Sequence, residues 1–188
     1  LGIILNMDAD HLDFFKDIDD IRHSFRKFAE LLPADGALII NADTPKYEMV
    51  AENLPCKVIT YGLEHDAEYT ASDITYDEFG HPTFHVLHNG EDIGTCSLKV
   101  PGVSNALASI AAGRLLGLDN EVIFAGLKDF GGTDRRFQYK GKVGEVTIID
   151  DYAHHPTEIE ATLHAAHNYP HKKIWCVFQP HTYTRTKA

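Results

Sequence analysis

Two stretches of this sequence gather groups able to bind and react. One is Ile148-Ile149-Asp150-Asp151-Tyr152-Ala153-His154-His155-Pro156-Thr157-Glu158, with two carboxylates, an aromatic ring and two adjacent histidines. It is answered by Gln179-Pro180-His181-Thr182-Tyr183-Thr184-Arg185-Thr186, where Arg185 offers a guanidinium suited to carboxylate or phosphate. Near the start, the loop 6–13 holds Asp8, Asp10, His11 and Asp13. That donor set suits a hard divalent cation such as Mg²⁺, which takes oxygen ligands and keeps waters. The plainer reading of such a loop is capping and solvation.

The surrounding pattern says what positions these groups. Residues 146–149 are a β-branched run that reads as a buried strand. Pro156 suits the first position of a helix, with Glu158 and Glu160 in its first turn. Ile159, Leu163 and Ala166 follow at i, i+4 and i+7, one apolar stripe. Residues 174–178 form another short apolar run. A strand–helix–strand unit of this length crosses over right-handed, which predicts parallel, adjacent strands. Both polar loops then leave the sheet at one edge, where open α/β sheets bind ligands, and His154, His155, His181 and Arg185 converge. Without that convergence they are two solvated loops.

Together, Asp-Asp-Tyr-Ala-His-His-Pro-Thr-Glu from Asp150 and Phe-Gln-Pro-His-Thr-Tyr-Thr-Arg-Thr from Phe178 resemble motifs of the Mur ligases, over essentially the whole chain. The resemblance implies a cytoplasmic enzyme that uses ATP and Mg²⁺ to form an amide bond on UDP-N-acetylmuramate through an acyl phosphate, in peptidoglycan precursor synthesis. The wording Tyr-Ala-His-His-Pro-Thr-Glu is that of the branch adding L-alanine. The alternative is a sister branch that attaches a preformed peptide to the same nucleotide sugar. The family pattern Asn-x-x-x-Asp-His-x-Asp is intact over 6–13, which makes His11 the expected magnesium ligand. Several sister ligases carry a carbamoylated Lys on the next helix; the comparable place here is near Arg26, so no carbamate is invoked. The second Arg of Arg-Arg-Phe reaches ATP in the family, which points to Arg136. Asp151 is expected to contact the nucleotide by its place in Asp-Asp-Tyr. His154, His155, His181 and Arg185 are the candidate catalytic residues, lining the junction where alanine and the acyl phosphate meet.

A further family pattern, Pro-Gly-x-His-Asn-x-x-Asn, carries asparagines that recognise adenine. Aligned without a gap to Pro101-Gly102-Val103-Ser104-Asn105, it makes Asn105 the first Asn, with Ser104 and Ala108 replacing the His and the second Asn. Aligned with three residues missing after Gly102, Asn105 becomes the second. The gapped alignment is favoured, because it needs one event instead of two losses.

The 188 residues suffice for one domain or pieces of two. Hydrophobic content of 44% and charged content of 24% are those of a soluble globular protein. A net charge of −11 argues against non-specific nucleic-acid binding, which needs basic patches. Cys56, Cys96 and Cys176 are widely spaced with no C-x-x-C pair, which suits a reducing cytosol. No apolar run approaches the length of a membrane span, and no signal peptide is evident.

The remaining chain alternates strand and helix signals, the mark of a parallel sheet covered by helices. Strands are predicted at 1–5, 37–40 and 58–61, and helices at 18–32 and 47–54. Then the texture changes to strands at 69–76, 83–88 and 93–100, the last two joined by the hairpin signal Asn89-Gly90. His81, His85 and His88 suggest a metal trio and hence a metal hydrolase, but His85 and His88 face opposite sides of a regular strand, which favours surface histidines. Helices at 105–116 and 121–127 precede Gly131-Gly132-Thr133-Asp134-Arg135-Arg136-Phe137, whose glycines and adjacent arginines suit phosphate. Residues 140–142 read as a hinge. The fold class is therefore α/β. Residues 1–139 would be the second half of a P-loop-type ATP-binding domain, a parallel sheet with a small antiparallel hairpin region. Residues 140–188 would be the opening βαβ of a Rossmann-like amino-acid-binding domain. No Gly-x-x-x-x-Gly-Lys-Ser/Thr occurs, and the chain opens inside a strand-like run with no initiator Met. It reads as a fragment, expected alone neither to hydrolyse ATP nor to ligate alanine; a non-catalytic nucleotide-binding module is the other class of reading.

Overall fold

A computed structural model of the chain describes residues 1–180, so His181 and Arg185 lie outside the described residues. Six strands form one sheet in chain order: β1 (Gly2–Ile4), β2 (Ala37–Asn41), β3 (Lys57–Tyr61), β4 (Tyr69–Tyr76), β5 (Pro82–His88) and β6 (Glu91–Ser97). β1, β2 and β3 pair in parallel, and β4 joins them through the single pair Tyr61–Tyr69. From β4 to β6 the sheet is antiparallel. Asn89 (φ 52°) and Gly90 (φ 82°) turn the β5–β6 hairpin, both left-handed as a two-residue turn requires. The predicted parallel sheet and hairpin region are thus one continuous surface.

Period-two alternation on β2 divides the core between the two faces of the sheet. Leu38 and Ile40 pack with Ile4, Ala29, Val50 and Ala51 under α1 (Ile18–Glu30) and α2 (Glu48–Ala51). Ile39 joins Ile59, Phe84, Val86, Leu107 and Ile110 under α3 (Val103–Leu115), beside which α4 (Asn120–Asp129) packs. α1 starts where expected because Asp17 accepts the amides of Asp19 and Asp20, at 3.1 and 3.0 Å. Arg26 does not stand free in the place of a modified lysine. It pairs with Glu30 at 2.8 Å and donates to the Val50 and Glu52 carbonyls, tying α1 to α2.

Three expectations need correction. Residues 140–142 are not a hinge but part of β7 (Gln138–Val143), which pairs antiparallel with β8 (Val146–Asp150) in a separate two-stranded sheet. β8 is not buried either: Val146 is 63% and Ile148 44% exposed. After α5 (Pro156–His167), residues 174–178 form no strand, and Val177 is 98% exposed. An apolar run becomes a strand only against a partner ladder and a covering layer. β8 pairs with β7 along one edge, and among the described residues the expected parallel neighbour does not form on the other.

Candidate functional site

The first polar loop hangs from the C-terminal end of β1. The Leu5 carbonyl, the last of that run, accepts from Asn41 Nδ2 at 3.1 Å and from the Tyr61 hydroxyl at 3.4 Å. Burial, and then the nearby Asp43 carboxylate, push the Tyr61 phenol far up, so it stays a neutral donor. Beyond this anchor Asp8 accepts its neighbour's amide and Asp10 that of His11, both at 2.7 Å. His11 takes a left-handed conformation (φ 54°), and its carbonyl accepts the amides of Phe14 and Phe15. Its Nε2 lies 3.6 Å from Asp10 Oδ2.

The second polar loop is knitted from both sides. Asp151 Oδ2 accepts the Phe137 amide at 2.8 Å, and Oδ1 the Ala153 amide at 2.7 Å. Tyr152 N donates to Arg135 O at 2.8 Å, and the Arg135 guanidinium lies 4.7 Å from the Tyr152 ring centroid. Asp151 therefore joins the Gly-Gly-Thr-Asp-Arg-Arg-Phe loop to the strand end, a role that its spacing did not reveal. Glu158, in the first turn of α5, accepts the amides of His154 and His155 at 3.2 and 3.4 Å. The His154 ring donates through Nδ1 to Tyr152 O at 3.0 Å.

The two loops meet. His155 Nε2 donates to Ala9 O at 3.2 Å, and its Nδ1 lies 3.7 Å from Asp8 Oδ2. Between them opens a cavity of 540 Å³ with Ile3, Phe15, Phe25 and Phe28 on its apolar side and Asp8, Asp10, His11, His155 and Glu158 on its polar one. Its size and its few convergent polar groups are those of a small-molecule site. His11 and His155 are thus brought together. Asn105 and Arg136 are exposed and do not line the cavity.

Whether a magnesium ion suits this place depends on the donors. Among the described residues no three His, Cys, Asp or Glu side chains converge as a closed metal site. Mg²⁺ does not need one, since it usually keeps several waters and is held by one or two protein groups plus substrate phosphates. The carboxylates of Asp8 and Asp10 beside His11 fit that pattern. The hairpin histidines instead each take a carboxylate: His81 with Asp77 at 3.1 Å, His85 with Asp92 at 2.7 Å and His88 with Glu68 at 3.1 Å.

Sequence reasoning missed Asn41 and Tyr61. A polar residue closing an apolar strand beside the loop was the available signal for Asn41. Tyr61 carried none, because its hydroxyl finds Leu5 only through the register of β3 on β2.

An α/β unit with covered parallel strands, followed by a His-His turn folded back onto its first loop, defines a recognisable class. Residues 1–113 match the Mur ligase middle domain and residues 135–188 the Mur ligase, glutamate ligase domain. This chain belongs to the Mur ligase family. It is 58% identical over 191 aligned positions to a UDP-N-acetylmuramate–L-alanine ligase of Lachnospira eligens, covering all of this chain and 42% of that protein. The chain thus spans less than half the length of the curated relatives it matches. Among solved structures, the UDP-N-acetylmuramate–alanine ligase MurC of Thermotoga maritima superposes with a TM-score of 0.71 at 30% identity, over 88% of this chain and 37% of that one. The MurF ligase of Thermotoga maritima, solved in complex with ADP, shares the fold with a TM-score of 0.74 at 21% identity, over 90% and 39%.

Proposed function

We propose that this chain is part of a cytoplasmic, ATP-dependent ligase that joins L-alanine to the lactyl carboxylate of UDP-N-acetylmuramate. The observation that carries the reading is the His155 ring on the Ala9 carbonyl. It brings the Asp-Asp-Tyr-Ala-His-His turn and the Asp/His loop to one cavity. We assign residues 1–139 to a central ATP-binding unit and residues 140–188 to the start of an amino-acid-binding unit. The separate β7–β8 sheet supports that division.

In the first step a carboxylate oxygen of the sugar attacks the γ-phosphorus of ATP, the bond to the bridging oxygen breaks, and ADP leaves. In the second, the alanine amine attacks the acyl carbon, phosphate departs, and the nitrogen gives up a proton. Positioning and charge neutralisation dominate such chemistry. A bound Mg²⁺ would supply positive charge between carboxylate and phosphate, held by His11 with Asp8 and Asp10 beside it. Arg136 and Asp151 are assigned to the nucleotide, and Asn105 to its adenine as the second asparagine of the family pattern. His154 and His155 are assigned to the junction where the amine enters, and an imidazole there takes its proton. His181 and Arg185 are assigned to the same junction, Arg185 pairing with an anionic group.

The test is turnover of the full-length parent protein with ATP, Mg²⁺ and UDP-N-acetylmuramate, supplied with either L-alanine or a preformed tripeptide. Phosphate release and amide product with alanine are expected, with turnover lowered in His155→Ala. Turnover with the tripeptide alone would move the protein to the sister branch, and turnover with neither would refute the proposal.

A further inference from the structure

α5 contributes no fully buried residue to either core; Ile159, Leu163 and Ala166 are only half-buried, which leaves its direction weakly constrained along its length. Its two ends set it. At the N-terminal end, His155 reaches the Ala9 carbonyl. At the other, the chain leaves the helix at Asn168, and Tyr169 folds back with its amide on the Ala166 carbonyl at 3.1 Å.

The Tyr169 ring is held between two surfaces. On one side lies Phe137, with ring centroids 5.5 Å apart and planes inclined at 52°. On the other lies Gly80 in the β4–β5 turn, so close that a Cβ there would stand 2.6 Å from Tyr169 Cδ2. Gly80 also has φ +71°, where a side chain is strained, so two independent constraints call for glycine. This notch is braced by bonds within its own turn. Asp77 Oδ1 accepts the amides of Phe79 and His81 at 2.8 and 2.9 Å, and Gly80 N donates to Asp77 O at 3.0 Å. Phe137 is equally fixed, because its amide is the one held by Asp151 in the turn that carries His154 and His155.

We infer that Tyr169 is a positioning residue: clamped between Gly80 and Phe137, its ring sets the tilt of α5 and thereby holds His155 on the loop of Asp8 and Ala9. Its relevance to ligation rests on the proposed function, but the geometry does not. Twelve helical residues span about 18 Å, so a tilt of about 10° about the far end moves the near end by about 3 Å. A hydrogen bond does not survive that displacement.

The experiment reads geometry without turnover. In the 188-residue chain, the nuclear Overhauser effect between the His155 ring and Ala9 is followed together with the ¹³Cα shifts of residues 157–166. Tyr169→Ala is expected to abolish the Overhauser contact while the helical shifts persist. Gly80→Ala should do the same by displacing the ring, and the double variant should be no worse than Tyr169→Ala alone. Tyr169→Phe, which keeps the ring, should retain the contact. Persistence of the contact in Tyr169→Ala overturns the inference. So does loss of the helical shifts with it, because Tyr169 would then be holding α5 folded and not aiming it. An inactive parent enzyme with these Overhauser results intact would sink the ligase reading alone.

Discussion

Three backbone amides, those of Leu63, Glu64 and His65, converge on the carboxylate of Asp43 at 2.7 to 3.1 Å, and the His65 ring adds a contact at 3.2 Å. Burial pushes this carboxyl up, but the Leu63 and Glu64 amides and the His65 ring and amide outweigh it, and the group is held below its ordinary value of 3.8. It therefore clasps the β2 end to the loop after β3, beside the Asn41 side chain that anchors Leu5. A depressed folded-state pKa stabilises above the unfolded value and is lost as pH falls through the folded one. Asp43→Asn should cost about 1–3 kcal/mol at pH 7. In urea titrations its deficit relative to the native sequence should shrink below about pH 4, as the native carboxylate is itself protonated. A deficit independent of pH would show that the charge is not what the amides require.

α5 begins at the right residue for reasons legible in its own first turn. Pro156 lacks the amide that would be orphaned, and Glu158 collects those of His154 and His155. Because the helix is only half-buried along its apolar stripe, these end contacts carry a large share of its stability. Glu158→Ala should destabilise the first turn by about 0.5–2 kcal/mol, the range of a lost cap. Amide hydrogen exchange would show it as faster exchange at residues 159–161, with β2 and β3 unaffected. Uniform acceleration across the chain would mean instead that α5 unfolds only with the whole molecule.

At the scale of the whole molecule, β1–β3 are covered on both faces and β4–β6 on one, whereas the β7–β8 sheet and the segment after α5 are largely exposed. Trp175 is 77% exposed, with Lys173 Nζ 4.1 Å from its ring centroid, and it is the only tryptophan in the chain. Its fluorescence therefore reports this segment and nothing else. Emission of a water-exposed indole, freely quenched by acrylamide, is expected. A blue-shifted, shielded signal would mean that residues 174–178 do pack as the strand that their apolar run suggests.

What the sequence determined by itself was whatever local chemistry decides. The Asp17 cap, the Asn89-Gly90 turn, Pro156 and the period-two run of β2 each specify an element through bonds to near neighbours, and each element formed. The motif at 150–158 likewise marked a strand end, a turn and a helix start before any fold was known. Tertiary structure decided the pairing. That β8 lies against β7, that residues 174–178 stay unpaired, and that Tyr61 finds Leu5 depend on which surfaces meet across long separations. So does the contact of His155 with Ala9, 146 positions away. Such contacts follow from where the sheets end and what covers them, and no window of sequence contains that.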